Sequence, residues 1–417
     1  MRAGKLLAST VLPVLLVLSL AGFPATALHA GQIVIAVDLS HQQPTEGLDV
    51  IVGSCPDCFW VLILLDEAQR EAVETGVLQL FDEVRTGGLS SANLGDVDIL
   101  LIGQPQTPLT EEEISAISSW FSEPNKALWI AGDSDYPAGG NEIAQLAVNQ
   151  VLESIGSVIR MDFVSVEDPV ANAGAVYRVT GIIDPSEPIA AYITPGIEYG
   201  RVLFHGPGAL YILVDDEPVN PARQPEALPE NVFIIVRTTE DSYVVEHQTD
   251  PAQGQNPAVF YDPLNDEVNT GPFPLMMAEV FDNNRVVIAS SESMYDGYEP
   301  MTAASYYEVP LDGPVFVPNV IKFMISVVRG EFTLAPAPPA ETVTVTETVT
   351  ETETIVQTTT MVETQTETVT ETKTEVSTTT QLSTTTVVEQ TTNWGITIGL
   401  FILGLIIGAA ALYLARS

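Results

Sequence analysis

The sequence predicts an α/β fold, a mainly parallel sheet flanked by helices and carrying extra β segments. Three observations support this. Residues 94–136 set two apolar runs, 97–103 and 127–131, on either side of a capped amphipathic helix, which is a βαβ unit. Apolar strands at 32–37, 127–131 and 285–289 each run into a turn rich in acids and hydroxyls. Residues 141–155 carry apolar side chains at helical spacing.

Taken in order, the chain opens with Arg2 and Lys5 before an apolar run over 6–20, then small residues at Ala25, Ala27 and Ala30. This is the pattern of a secretory signal peptide over 1–30, with an uncleaved N-terminal anchor as the other reading. The strand QIVIAV over 32–37 ends at Asp38-Leu39-Ser40-His41-Gln42. Residues 48–52 read as a short strand or a loop segment. Residues 59–84 begin with FWVLILL, which suits a strand, and turn helix-like from about Asp66, with Gly76 as a weak point. The run 97–103 is too short to favour a helix and apolar enough for a strand covered on both faces. Thr110 and Glu113 then form a capping box, with Glu111, Glu112 and Glu113 at the positive end of the helix dipole. Ile114, Ile117 and Phe121 share a face, and Pro124-Asn125 stops the helix. Ile143, Leu146, Ala147 and Val151 mark the apolar face of the helix over 141–155. Further strands follow at 158–166, 177–183, 201–205, 209–214, 232–237, 275–280 and 285–289, with surface loops at 218–229 and 249–272. A last helix covers 319–328.

From residue 341 to 392 nearly half of the residues are Thr, interleaved with Val and Glu and free of aromatics. Such a stretch does not build a packed core, and the reading here is a disordered, solvated stalk of 335–392 joined by the Pro-rich APAPPA. Extended, residues 341–392 span on the order of 170 Å. Dense Thr suits O-glycosylation, and period-2 Thr/Val favours local strand, so bare stalks have a tendency to self-pair. No Asn-x-Ser/Thr sequon occurs. Residues 393–415 are apolar and long enough for one transmembrane helix, with Trp394 at an interface and Arg416 in a short cytoplasmic tail, 416–417. Gly395/Gly399 and Gly404/Gly408 have the spacing of helix-pairing faces. The predicted order is therefore signal peptide, extracytoplasmic domain over 31–334, stalk and membrane anchor.

Composition narrows the partners. The 417-residue chain has a formal net charge of −40, which argues against nucleic acid and against an electrostatic grip on anionic lipid. It has two cysteines, so it is not a disulfide scaffold.

The motifs in order carry a family resemblance. Asp38-Leu-Ser-His41-Gln42, then DVDILLIGQPQTPLTEEEI, LWIAGDSDY, IIVRTTEDSYVVE and RVVIASSESMYDGY resemble the glutamine-amidotransferase-like domain of gliding-motility ABC-transporter auxiliary proteins, related to a domain of an intraflagellar-transport protein. The resemblance covers residues 32–330. It implies a flavodoxin-like sheet and ABC-transporter components as partners. The stalk and anchor are similar to those of archaeal surface proteins, including anchored solute-binding proteins. Amidotransferases of this class carry a Cys nucleophile on a strand-to-helix elbow. The corresponding turn here is Asp133-Ser134-Asp135, without Cys, and Gln42-Gln43 replaces the family's Gly-Gln. The resemblance thus implies a non-catalytic relative.

Candidate chemistry gathers at the strand ends, where ligands of open α/β sheets sit. Asp38, His41, Gln104, Asp133, Ser134, Asp135 and Glu292 form the candidate ligand rim. Its carboxylates suit a divalent cation such as Ca²⁺ or Mg²⁺; equally, the Asp and Ser residues suit helix capping, and no cofactor is otherwise implied. Ser134 lacks the second glycine of a Gly-x-Ser-x-Gly elbow, since Tyr136 stands there. His41 reads as a turn residue that satisfies backbone groups, with a ligand or general base as the alternative. Cys55-Pro-Asp-Cys58 reads as a structural disulfide, with a thiol oxidoreductase as the enzyme alternative. A zinc site there needs two more ligands, and His205 and His247 are not at supporting spacing. The expectation is a surface-anchored module that binds rather than catalyses; a passive envelope protein is the remaining reading.

Overall fold

The structure is a computed structural model that describes residues 31–137, 142–297, 300–334, 348–362 and 368–382. The chain divides into two compact units, Met1–Leu334 and Ala335–Ser417.

The first unit begins with β1 (Val34–Asp38), α1 (Leu48–Gly53), β2 (Phe59–Leu64), α2 (Glu67–Ala72), α3 (Thr75–Leu78), β3 (Glu83–Thr86) and α4 (Ser91–Leu94). Then come β4 (Ile99–Ile102), α5 (Glu111–Phe121), β5 (Ala127–Ala131), α6 (Glu142–Ser154), β6 (Ile159–Met161) and β7 (Ser165–Glu167). They are followed by β8 (Arg178–Ile183), α7 (Ala190–Ile193), β9 (Arg201–His205), β10 (Leu210–Val214), β11 (Glu217–Val219), β12 (Val232–Arg237) and β13 (Tyr243–Val245). The unit closes with β14 (Pro274–Phe281), β15 (Arg285–Ser290), the small pair β16 (Ser305–Tyr306) and β17 (Val309–Pro310), and α8 (Gly313–Val328).

Ten strands make one sheet in the order β3-β2-β1-β4-β5-β15-β14-β12-β8-β9. The pairings from β3 across to β15 are parallel. Those from β15 to β9 are antiparallel. The architecture is mixed α/β with a mostly parallel centre between helical layers. The extra β segments extend the same sheet or form small satellite sheets.

Both faces of the parallel half are covered, and the strand sequences show why. Ile35, Val37, Ile99, Leu101, Trp129 and Ile288 pack towards α1, α7 and α8. Their neighbours Val34, Ala36, Leu100, Ile102, Leu128 and Val287 pack towards α4, α5 and α6. A strand buried on both sides needs apolar residues at every position, which the runs ILLI and ALWIA supply. Thr110 caps α5 as expected: its hydroxyl accepts the Glu113 N–H at 3.2 Å, and Glu113 reaches back to the Thr110 N–H at 3.0 Å.

Several local expectations are corrected. Residues 48–52 belong to a helix, because Leu48 and Ile51 fall one turn apart and both bury against the core. Residues 59–84 resolve into β2, α2, α3 and β3. The strand expected over 158–166 is two short strands in different sheets. Leu146 is exposed, and Ala144, Val148 and Leu152 join Ala147 and Val151 on the buried face of α6. The loop at 218–229 begins within β11 and contains a short 3₁₀ turn, Pro225–Ala227. Helix α8 starts at Gly313, before the expected 319, and runs through Pro318. Burial of Phe316 and Val317 outweighs the hydrogen bond that Pro318 forfeits.

In the second unit, β18 (Thr348–Val362) and β19 (Thr368–Leu382) form an antiparallel hairpin. These two strands fall within the expected stalk of 335–392, where the Thr-rich period-2 pattern favours local strand. Dense β-branched Thr in these two segments suits extended backbone. Among the described residues no helix is long and apolar enough to cross a membrane. The expected signal peptide (1–30), the Pro-rich join, the transmembrane segment (393–415) and the tail (416–417) lie outside the described residues.

Candidate functional site

The parallel strands β1, β4, β5 and β15 all end on one edge, in register: Asp38 lies beside Ile102, Ile102 beside Ile130, and Ala131 beside Ser290. The turns that follow them therefore share one rim. Strand order reverses between β2 and β4 about β1, which is where open α/β sheets leave a crevice.

The turn after β1 is closed upon itself. Asp38 is fully buried and accepts the Ser40 N–H at 3.0 Å, the Ser40 hydroxyl at 2.5 Å and the Gln43 amide at 2.6 Å. His41 lies between two carboxylates, with Nδ1 2.9 Å from Asp38 and Nε2 3.3 Å from Glu113. Burial opposes charge on this ring, but the bonds to Asp38 and Glu113 outweigh it and push the imidazole up to about 10. Burial likewise disfavours ionised Glu113, but the bonds from His41 and Thr110 hold it down at about 2. The same glutamate thus caps α5 and clasps the β1 turn.

The sign of the pH effect follows. The His41 share of stability is fully present below 6.5, the ordinary imidazole value, and is lost as pH rises through about 10. The Glu113 share is present above 4.5 and is lost as pH falls through about 2. His41→Gln is expected to lose roughly 1.5–3 kcal/mol near neutral pH. In urea titrations its deficit should shrink as pH rises through about 10. A deficit independent of pH would show that the imidazolium is not what holds the turn.

Asp135 is also consumed internally. It is fully buried and accepts the Ser165 hydroxyl at 2.7 Å and the backbone N–H groups of His247 at 2.5 Å and Gln248 at 3.1 Å. Of the seven expected rim residues, then, Asp38, His41 and Asp135 fasten turns. His41 also borders a cavity of about 610 Å³ beside the α5 N-terminus.

The other four come together. Gln104, Asp133, Ser134 and Glu292 line one cleft of about 670 Å³ over the ends of β4, β5 and β15. Asp133 accepts the Gln104 amide and the Ser134 N–H, each at 2.6 Å. Glu292 accepts the Ser293 N–H at 2.9 Å and the His205 N–H at 2.7 Å. Burial, with the negative charge of Asp296 nearby, pushes Asp133 up to about 8 against the bonds from Ser134 and Gln104. Burial and the charges of Asp133 and Asp296 push Glu292 well above the usual carboxylate range. Burial and the neighbouring negative charges thus favour the protonated forms of both acids. Ser134 is buried, and its hydroxyl accepts the Tyr136 N–H at 3.2 Å, which is a turn-closing role.

His205, His247, Tyr177, Glu167 and Asp296 also line the cleft; the sequence places none of them at the rim and weighs the two histidines only as zinc ligands beside the cysteines. His205 ends a strand, which was a usable signal, but nothing in its spacing links residue 205 to residue 292. Cys55 and Cys58 are disulfide-bonded, with Cα atoms 5.4 Å apart, across the turn between α1 and β2. The motif follows a helix rather than opening one, the reverse of the arrangement that activates a thiol. Among the described residues no group of three or more His, Cys, Asp or Glu is arranged to hold a metal ion.

The chain matches no protein-family model and no curated protein. Its site is therefore read on its own geometry.

Proposed function

We propose that the first unit is a ligand-binding, non-catalytic module of flavodoxin-like, amidotransferase-like type, displayed at a cell surface by a C-terminal membrane anchor. With the short edge strand β3 set aside, the five remaining parallel strands follow the flavodoxin-like order 2-1-3-4-5. The binding reading rests on the cleft: a concave site at the carboxyl ends of the strands, of a volume that suits a small ligand, with polar groups converging on it. The turn where an amidotransferase places its nucleophile carries Asp133-Ser134-Asp135 without Cys, and the Ser134 hydroxyl, bonded to the Asp133 carboxyl and accepting the Tyr136 N–H, closes that turn. Service to a transporter or an envelope assembly is the setting this reading suggests.

A thermal-shift screen of the purified full-length chain tests it, because a ligand that binds the native state alone raises the midpoint. Amines, neutral saccharides, phosphate and divalent cations are the classes to include. The expected result is stabilisation by one class, lost in Gln104→Ala. Amide or ester hydrolysis abolished by Ser134→Ala would overturn the reading.

A further inference from the structure

The walls of the cleft narrow the chemistry of the ligand. Glu167 and Asp296 join Asp133 and Glu292 around it, and neither lysine nor arginine is among the described residues that line it. An anion would meet four acids and no lysine or arginine among the described lining residues; the guanidinium of Arg178 is stacked on the rings of Tyr177 and Tyr307, 5.3 and 3.7 Å from their centroids. The acids alone do not define a site, but two aromatic rings stand with them. Tyr136 is 50% exposed and Tyr177 43%, although both sit in a concavity where apolar surface is normally covered. Each ring is set against an imidazole in T-shaped contact, Tyr136 with His247 at 5.1 Å and Tyr177 with His205 at 5.5 Å. These contacts hold the rings in place and leave surface open to the cleft.

The open surface of a ring packs against hydrocarbon, and the methylenes beside an ammonium are its natural partner when the head lies among carboxylates. A hard metal ion uses oxygen ligands and gains nothing from tyrosine faces. An alkylammonium uses both: the charged head suits the acids, and the carbon chain suits the rings.

Resting on the binding reading above, we infer that the cleft takes a small organic cation, with a primary ammonium group among Asp133, Glu292 and Asp296 and its carbon chain against Tyr136 and Tyr177. Proton release accompanies binding. Burial, and then the neighbouring negative charges, favour the protonated forms of Asp133 and Glu292. A cation among them favours their ionised forms, and the displaced proton passes to solvent. The groups facing this floor from the surrounding elements are Gln104 after β4, Glu167 on β7, Tyr177 before β8, His205 on β9 and His247 after β13.

Calorimetric titration of the full-length protein with putrescine, Mg²⁺ alone, maltose and inorganic phosphate tests the inference. Putrescine should bind saturably near pH 7. Its heat should differ between buffers of different ionisation enthalpy, as proton release requires. Tyr177→Ala should weaken it roughly tenfold, Tyr177→Phe should restore it, and Glu292→Gln should weaken it and reduce proton release. Equal binding of Mg²⁺ and putrescine, both indifferent to Tyr177→Ala, would overturn the inference. Maltose binding with putrescine silent would overturn the cation and leave the binding reading standing. Silence of all four probes would remove the cation inference. Hydrolysis dependent on Ser134 would remove the binding reading itself.

Discussion

Asp162→Ala is expected to lower the unfolding free energy by roughly 3 kcal/mol or more, since each buried N–H left unpaired costs about 1–3 kcal/mol. Asp162 is fully buried, and its two oxygens take four backbone N–H groups. Oδ1 accepts from Phe163 at 2.9 Å and Val259 at 2.6 Å; Oδ2 accepts from Phe260 at 2.9 Å and Tyr261 at 2.6 Å. Those last three residues lie in the long loop between β13 and β14, which has little secondary structure of its own. The bonds aim Tyr261 into a satellite core with Val164, Tyr211 and Phe273, where its hydroxyl donates to the Leu210 carbonyl at 2.8 Å. Asp162→Asn should recover only part of the loss, because its NH₂ group would face donors. Urea titration measures the change, and limited proteolysis should locate new cleavage within 249–272. A loss under about 1 kcal/mol would mean that the loop stands without this carboxylate.

The second large effect is expected at the rim itself. Gly103→Val should cost roughly 3 kcal/mol or more, because overpacking at a rigid neighbour adds to lost buried hydrogen bonds. A Cβ at residue 103 would lie 2.6 Å from the Tyr295 ring and 2.9 Å from the Ser293 hydroxyl. Tyr295 has no room to withdraw. It is fully buried, its oxygen accepts the Gly103 N–H at 2.7 Å, and its hydroxyl donates to the Asp38 carbonyl at 2.6 Å. One phenol thus ties together the ends of β1 and β4 from the turn after β15. Pairing Gly103→Val with Tyr295→Leu should cost less than the sum of the two, since the second change vacates the space the first needs. Strict additivity would show that the ring is not the obstacle.

How much of this was legible in the sequence depends on how far apart the partners lie. The βαβ unit was legible because its signals are local: an apolar run, the Thr110–Glu113 box and a second apolar run. The helix at Leu48–Gly53 was not, because LDVIVG is short and β-branched, and packing of Leu48 and Ile51 decides its form. Pro318 reads as a boundary, yet its neighbours bury deeply enough to carry the helix through it. At the site, Gln104, Asp133, Ser134 and Glu292 were found by one rule, that polar residues after parallel strands share a rim. The same rule also gathered Asp38 and Asp135, because sequence alone does not distinguish an acid that faces a cleft from one that fastens backbone. His205 and Tyr177 were missed because the antiparallel half of the sheet brings them to the rim from a direction no local pattern encodes.

The bond from the His205 N–H to Glu292 has a geometric consequence. Strands β15 and β9 are four places apart, about 19 Å in a flat sheet at ~4.8 Å per strand. Glu292 lies two residues past β15, so its chain and side chain span part of that distance, and curvature of the sheet closes the rest. The cleft then lies between two lips, one supplied by the turn after β5 and the other by the end of β9. Strand twist accumulates across a sheet, so the distance between the lips depends on the whole sheet as well as on the side chains that line the cleft. A guest that bridges the lips would therefore feel substitutions far down the strands that change the curvature of the sheet.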